Sequence, residues 1–126
     1  MSISDEAGAD LLNLDFNGTS YSPPAVWYVG FRGGGSELSG NGYARIPLTA
    51  NSTNFPVTAT KAISNGIEFE TPVATGGDWG QADEVGLWAA SSGGDPRYYD
   101  LLDAPFTVLN GRKRTFPVGS LTIKLI

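Results

Sequence analysis

Apolar and polar residues alternate along much of this chain with the two-residue period of a β-strand. The pattern is clearest in residues 66–71, where Ile67 and Phe69 alternate with Glu68 and Glu70. Such alternation places apolar side chains on one face of a strand and acidic side chains on the other. Comparable patterns predict further strands at residues 25–31, 43–49, 57–63, 84–90, 97–102, 105–109, 114–118 and 121–126. About nine short strands separated by turns favour an antiparallel β-sandwich or barrel.

The N-terminal segment has a different pattern, which predicts a short helix over residues 4–16. Ser4 can cap the first turn, acidic residues follow it, and Gly18 can end the helix. A chain of 126 residues suits one domain. We expect residues 1–17 to form an N-terminal arm or helix that reaches a neighbouring protein, and residues 20–126 to form the β body.

One tetrapeptide is predicted to be a structural corner of the fold. Gly77-Asp78-Trp79-Gly80 sets an acid and a large aromatic residue between two glycines. Glycine tolerates the backbone angles of sharp turns, so the segment can reverse direction. We expect Trp79 to bury its ring and pin a loop to the β body, and Asp78 to tie the turn by hydrogen bonds.

The composition excludes several classes of chemistry. The chain has no cysteine and no histidine, so disulfides, thiolate metal sites and Ser-His-Asp or Cys-His catalysis are excluded. We expect no enzymatic activity, no catalytic residues, no metal and no cofactor. The net charge of -5 and the pI of about 4.4 disfavour nucleic acid as a partner. No signal peptide is recognisable, and no apolar run approaches the ~20 residues of a membrane helix, so no membrane partner is expected.

Two groups of acidic residues invite a functional interpretation. Asp78, Asp83 and Glu84 are close enough in sequence to offer oxygens to calcium, but their spacing matches no calcium loop. Glu68 and Glu70 would lie about 7 Å apart at Cα on one strand face, a spacing that does not forbid a glycosidase pair. Turn hydrogen bonds, solvated acids and ordinary strand alternation explain both groups more simply.

Two pairs of adjacent aromatic residues are candidates for a protein interface. They are Trp27 and Tyr28 in one predicted strand, and Tyr98 and Tyr99 in another. Neighbouring residues on a strand face opposite ways, so one aromatic of each pair is expected to lie off the core. A partner can cover such a side chain, and a sugar-binding platform is the alternative use.

A basic cluster stands out in this acidic chain. Arg112, Lys113 and Arg114 follow Asn110-Gly111, a dipeptide that predicts a type I′ hairpin turn. A charged hairpin tip that resists edge pairing is one interpretation. The other is a contact patch for an acidic neighbour.

Three short elements are fairly specific in combination: Gly42-Tyr43-Ala44-Arg45, then Gly77-Asp78-Trp79-Gly80, then Gly86-Leu87-Trp88. Together they resemble a family of small tailed-bacteriophage virion proteins, and the resemblance covers about residues 10–126. Members are often called tail fibre proteins, while related small jelly-roll proteins act as capsid cement (decoration) proteins. The resemblance implies an all-β, jelly-roll-like antiparallel β-sandwich with a short N-terminal helix or arm. The basic residues 112–114 depart from it, because a more neutral turn is expected there.

The function implied by the resemblance is structural. We expect a capsid cement protein that binds the outer shell of the virion and stabilises it, assembled in the bacterial host cytoplasm. Its expected partners are further copies of itself, as a homotrimer, and the major capsid protein. The alternative is a tail fibre or baseplate component in host attachment, which would bind tail proteins or a host surface glycan. Copy number in the virion distinguishes the two functions.

Overall fold

The described part of the chain folds mainly into antiparallel β-strands preceded by one short helix, which confirms the predicted all-β class. The computed structural model describes residues 1–124, and Leu125 and Ile126 of the predicted strand 121–126 lie outside the described residues. The helix α1 spans Asp5–Asn17. The strands are β1 Ser2–Ile3, β2 Val26–Gly33, β3 Ser36–Glu37, β4 Ile46–Thr49, β5 Val57–Ala59, β6 Ala62–Ser64, β7 Phe69–Glu70, β8 Ala82–Trp88, β9 Tyr98–Phe106, β10 Thr115–Phe116 and β11 Thr122–Lys124.

Both ends of α1 are set by the residues that the sequence indicates. The Ser4 hydroxyl accepts a hydrogen bond from the Ala7 N–H at 3.2 Å, which satisfies one free donor of the first turn. Gly18 adopts the left-handed conformation with φ 71°, and the following residue closes the helix through a bond to the Asn13 carbonyl. The capping signals are local, so the sequence alone was sufficient to place the helix.

The largest sheet has the strand order β1-β9-β8-β2-β3, and β4 pairs with the same β2 as β3. The central pair β2 and β8 sets Val29 opposite Leu87 and Gly30 opposite Gly86. Val29 and Leu87 face the core, so Gly30 and Gly86 face the opposite side of the sheet. β4 pairs with β2 alone, and Pro47 therefore occupies an edge, as predicted for a residue without an N–H.

The core lies between the apolar face of the large sheet and two smaller sheets, β11-β6-β5 and β10-β7. Phe116 of β10 stacks on Phe31 and Phe69 with ring centroids 5.4 and 5.0 Å apart. Phe106 meets the Phe31 ring edge-on at 5.1 Å. Each fully buried side chain of this size contributes about 1.5–3 kcal/mol, so the aromatic stack is a main source of cohesion between the sheets.

Residues 57–63 form a hairpin instead of the predicted single strand. β5 and β6 pair with each other across a turn in which Lys61 has the left-handed φ of 62°. Lysine is not a typical residue for that conformation, and the turn contains no glycine, proline or asparagine. The usual turn signals were therefore absent from the sequence.

The predicted strand 97–102 and the start of the predicted strand 105–109 belong to one strand, β9, and residues 107–109 lie outside any strand. Pro105 lies within it, where a proline normally ends pairing. The register shifts at this point, because Ala82 pairs with Phe106 while Glu84 pairs with Leu101. The resulting bulge places Pro105 outside the regular hydrogen-bond ladder, which removes the conflict.

Candidate interaction surfaces

The predicted corner at residues 77–80 joins two turns of the fold. The Trp79 side chain is buried, its indole N–H donates to the Asn41 carbonyl at 2.9 Å, and its backbone N–H donates to the Val108 carbonyl at 2.9 Å. The Asp78 carboxylate accepts from the Asn110 N–H at 2.7 Å. The Asn41 amide in turn donates to the Asp78 carbonyl at 2.8 Å. The corner thus connects the turns near residues 41 and 109.

The two glycines of the corner differ in their surroundings. Gly77 has φ 153°, and an added Cβ would lie 2.9 Å from the Asn41 amide nitrogen, so a side chain would disturb the contact between the two turns. At Gly80 the nearest atom to an added Cβ is a Leu38 methyl group at 3.5 Å, which is an ordinary contact. These contacts are consistent with a stabilising role for the corner, which stays a prediction.

An ion pair between buried Arg45 and half-buried Glu37 lies on the face of the large sheet opposite the core. The Arg45 guanidinium binds both Glu37 carboxylate oxygens, with Nε–Oε2 and Nη2–Oε1 distances of 2.8 and 2.7 Å. It also donates to the carbonyls of Ala90 and Gly93 and lies 4.3 Å over the centroid of the Trp88 ring. Bidentate pairing, carbonyl contacts and a cation–π contact together satisfy a charge that is largely removed from water.

Tyr43 connects this ion pair to the corner. Its hydroxyl donates to Glu37 Oε2 at 2.7 Å and accepts from the Phe31 N–H at 3.0 Å, while its ring meets Trp79 edge-on at 5.2 Å. Burial raises the pKa of Tyr43, and the Glu37 carboxylate adds to that increase. Burial also raises the pKa of Glu37, but hydrogen bonds from Arg45 and Tyr43 outweigh it, so the pKa lies below its usual 4.5.

Trp88 is buried although it faces away from the core. The sequence pattern correctly places Trp88 on the face of its strand opposite Val85 and Leu87. It does not predict that other residues cover the ring there. The ring lies over Gly30 and Gly86, where an added Cβ would come within 2.7 Å of it. These glycines provide a flat seat for the ring, and Arg45 covers it from above. The sequence contained this arrangement only as separate motifs around residues 42–45 and 86–88.

The four predicted interface aromatics separate onto the two faces of the large sheet. Trp27 and Tyr98 pack against the core edge-on to each other at 5.7 Å, and burial raises the pKa of Tyr98. Tyr28 and Tyr99 lie on the opposite face, where the Arg32 guanidinium sits 5.4 Å from the Tyr99 centroid. An apolar cavity of about 200 Å³ is lined by Trp27, Ala50, Asn51, Phe55, Ile63, Leu87, Tyr98 and Ile123.

The turn before the basic cluster has a different geometry from the predicted one. The Arg112 N–H donates to the Leu109 carbonyl at 2.9 Å, which closes a turn around Asn110 and Gly111. Gly111 has φ 80°, but Asn110 does not have a positive φ. A type I′ turn needs positive φ at both positions, so the type I′ prediction is wrong and the geometry fits a type II turn. The flanking segments do not pair as a hairpin, because β10 pairs with β7.

The three basic side chains of the cluster have unequal partners. Lys113 Nζ forms an exposed ion pair with Glu70 at 3.0 Å. Arg114 lies over the Phe106 ring at 4.6 Å. Within residues 1–124, neither Arg112 nor Arg114 has a carboxylate within 4.0 Å. The cluster therefore presents two uncompensated guanidinium groups beside a groove of about 440 Å³ at residues 107–115.

The helix α1 exposes most of its apolar residues. Ala7 is its one buried residue, whereas Leu12, Leu14 and Phe16 are 60%, 43% and 84% exposed. Isolated exposed apolar residues are common, but Leu12 and Phe16 are four positions apart and therefore lie together on one face of the helix, while Leu14 lies on another. The sequence pattern predicts the helix without indicating that its apolar side chains lack cover.

Arg97 holds α1 to the β body. Its Nη2 binds the Asp10 carboxylate at 2.9 Å, its Nη1 lies 4.0 Å from Glu6, and its guanidinium lies 5.0 Å from the Tyr21 ring centroid. The Ser4 N–H donates to the Arg97 carbonyl at 2.7 Å. The helix is thus attached at its N-terminal half, and its C-terminal half carries the exposed residues.

The acidic residues considered as calcium ligands have other partners within the protein. Asp78 and Asp83 accept hydrogen bonds from backbone N–H groups, and Glu84 pairs with Arg32. In residues 1–124, no three acidic side chains gather in a way that could hold a metal ion. The same part of the chain contains no helix with the length and apolarity to span a bilayer.

Almost the whole chain matches one protein family. Residues 2–124 match the family described as podophage GP4 fiber I protein gp80. The chain belongs to this family. No curated protein matches it. Membership in the gp80 fibre family confirms the predicted relationship to small tailed-phage virion proteins of the tail fibre type.

The gp80 family also indicates the general kind of function. The protein is a fibre-related structural component of a phage virion. A structural family agrees with the prediction of a protein without enzymatic activity. Three surfaces of the structure are available to partners of such a component. They are the exposed C-terminal half of α1, the groove at residues 107–115, and the aromatic residues of the large sheet.

Proposed function

We propose that the protein is a structural subunit of a podophage tail-fibre apparatus and acts by binding neighbouring virion proteins. The match of residues 2–124 to a fibre protein family carries this proposal. A fibre subunit needs a stable body and surfaces that partners cover, and it needs no reactive site. The stacked aromatic core and the ion pair of Arg45 with Glu37 stabilise the body.

The exposed groups support protein contacts better than sugar contacts. Protein interfaces are enriched in apolar side chains, aromatic residues and arginine. α1 exposes Leu12 and Phe16, and Leu109 and Arg112 line the groove at residues 107–115. A glycan site needs several hydrogen-bonding groups around its aromatic platform. The cavity beside Trp27 and Tyr98 offers few of them, because Asn51 is the one residue with a side-chain amide among its described lining residues. We therefore propose other copies of this chain and tail proteins as partners, ahead of a host surface glycan.

Capsid cement stays a prediction and is the competing function. A cement protein would also be a compact β domain with several contact surfaces, bound as a homotrimer to the major capsid protein. The two functions differ in place and in number, because cement covers a whole shell while fibre subunits occupy one vertex. The gp80 family name favours the fibre.

The deciding experiment counts and locates the protein in purified virions. Quantitative mass spectrometry against the major capsid protein measures the copy number, and immunogold labelling locates the epitope. A fibre subunit should be present in few copies per particle, with gold at the tail. A copy number comparable to that of the major capsid protein, with gold over the shell, would replace the fibre proposal by the cement function.

The exposed face of α1 provides a test of particle binding. Replacing Leu12 and Phe16 by serine should leave the body folded and reduce incorporation into virions. Val57 is 75% exposed on another sheet, so Val57→Ser is the matched control. Deleting residues 2–12 is also expected to weaken binding, but that deletion removes β1 as well. Normal incorporation of the helix variant would show that the arm does not contact the particle.

A further inference from the structure

One face of α1 combines exposed apolar side chains with an uncompensated acid. Leu12, Asp15 and Phe16 are spaced at i, i+3 and i+4, so they lie together on the helix surface. Leu12 and Phe16 are 60% and 84% exposed. Within residues 1–124, Asp15 has no cationic group within 4.0 Å. We call these three residues the helix patch.

The groove at residues 107–115 has the complementary composition. Leu109 is 49% exposed at its wall, and the guanidinium groups of Arg112 and Arg114 border it without a carboxylate partner in the described residues. Its volume of about 440 Å³ is large enough for a pair of apolar side chains. An apolar wall with a cationic rim matches an apolar helix face with an acidic edge.

The helix patch does not occupy the groove of its own copy. Leu12 and Phe16 are 60% and 84% exposed, and Leu109 is 49% exposed, so both surfaces are open to solvent in the single chain. α1 is attached to the β body at Arg97, next to one end of β9, and the groove begins at Thr107, next to the other end. Both surfaces are therefore free to contact a second copy.

We propose that the helix patch of one copy docks into the groove of a second copy. The occupant of the groove is then an acidic, apolar helix of this same chain. Because different surfaces meet, the contact is head-to-tail, and it closes into a ring or extends into a row of subunits. A single contact of this size is weak, and repetition around an assembly strengthens it. The contact does not depend on whether the protein lies on the tail or on the shell.

Complementary variants test the head-to-tail geometry. A helix variant carries Leu12→Ser and Phe16→Ser, and a groove variant carries Leu109→Ser and Arg112→Glu. Sedimentation equilibrium at low salt should show concentration-dependent association of the unaltered protein and monomers for each variant alone. An equimolar mixture should form dimers and no larger species, since each pair retains one intact helix patch and one intact groove.

Several outcomes would overturn the proposal. The first is that the unaltered protein remains monomeric at a concentration of about 1 mM, because its dissociation constant would then be weaker than about 1 mM. Alternatively, both variants would associate like the unaltered protein, or their mixture would contain only monomers while the unaltered protein associates. Circular dichroism melting of each variant verifies that the substituted body is folded, and Asp15→Lys provides a second helix variant that leaves the apolar residues in place.

The absence of cysteine makes a second test direct. A Phe16→Cys protein mixed with a Leu109→Cys protein should form a mixed disulfide under mild oxidation. A Val57→Cys protein is the matched exposed control and should react with Phe16→Cys at least about tenfold less, a difference that corresponds to specific docking. Added salt should reduce the yield because it screens the Asp15–arginine attraction. Equal yields with both partners would exclude docking at the groove.

Discussion

The guanidinium of Arg45 lies 4.3 Å over the ring of Trp88, on the side of the large sheet that faces away from the core. This contact covers an indole seated on Gly30 and Gly86. It brings together two motifs that are separated by more than forty positions in the chain. The face that a simple sandwich would leave to solvent therefore contains a second buried centre, built from an ion pair and an aromatic ring.

Removing Arg45 should destabilise the protein strongly. Arg45→Ala removes a buried side chain with its bidentate hydrogen bonds to Glu37 and uncovers Trp88, so we expect a loss of about 2–3 kcal/mol in the free energy of unfolding. Urea denaturation measures it. Lys113→Ala breaks the exposed pair with Glu70 and is the matched control, with an expected change of at most about 1 kcal/mol. Similar losses for both variants would show that burial of the pair has no special effect.

The stability of the protein should fall in acid because of Glu37. Its pKa in the folded protein is below 4.5, so the unfolded chain binds the proton more readily. The stabilisation is present above the unfolded pKa and is lost as the pH falls through the folded pKa. Denaturation midpoints measured between about pH 6 and pH 3 should decrease less steeply for Glu37→Gln than for the unaltered protein. An equal slope for Glu37→Gln and the unaltered protein would show that Glu37 does not contribute to the loss of stability in acid.

Trp79→Ala should destabilise the corner. The substitution removes a buried ring and its hydrogen bond to the Asn41 carbonyl, at an expected loss of about 3–5 kcal/mol. Trp79→Phe retains most of the apolar contact with Tyr43 and should cost less. Thermal melting compares the three proteins. An unchanged melting point, combined with lost particle binding, would instead make the corner an interface.

Two glycine substitutions should have opposite effects. In Gly86→Ala the new methyl group would come within 2.7 Å of the Trp88 ring, so we expect a loss of about 1–3 kcal/mol. Gly8 lies in α1 with no atom within 4 Å of an added Cβ, so Gly8→Ala should favour the helix by up to about 1 kcal/mol. Melting temperatures distinguish the two changes. An unchanged melting temperature in Gly86→Ala would mean that the Trp88 ring can move away from Gly86 without loss of stability.

The sequence predicts those elements of the fold that depend on neighbouring residues. Ser4 and Gly18 define the ends of α1, and the apolar run from Val26 onward identifies β2. Errors occur where the local signal is absent or misleading. The turn at Lys61 has no typical turn residue, and the proline within β9 locally indicates a strand boundary that the structure does not have.

The sequence alone determined the all-β class, the short helix and the absence of the chemistry that cysteine and histidine provide, because composition and residue periodicity contain this information. It also contained the motifs that relate the chain to tailed-phage virion proteins. The tertiary structure decided which side chains meet. Arg45 and Trp88 come together because β4, which directly follows Arg45, and β8 pair with opposite edges of β2 at the level of Tyr28. The helix patch and the groove become contact surfaces because the rest of the fold leaves Leu12, Phe16 and Leu109 exposed, which no local pattern in the chain records.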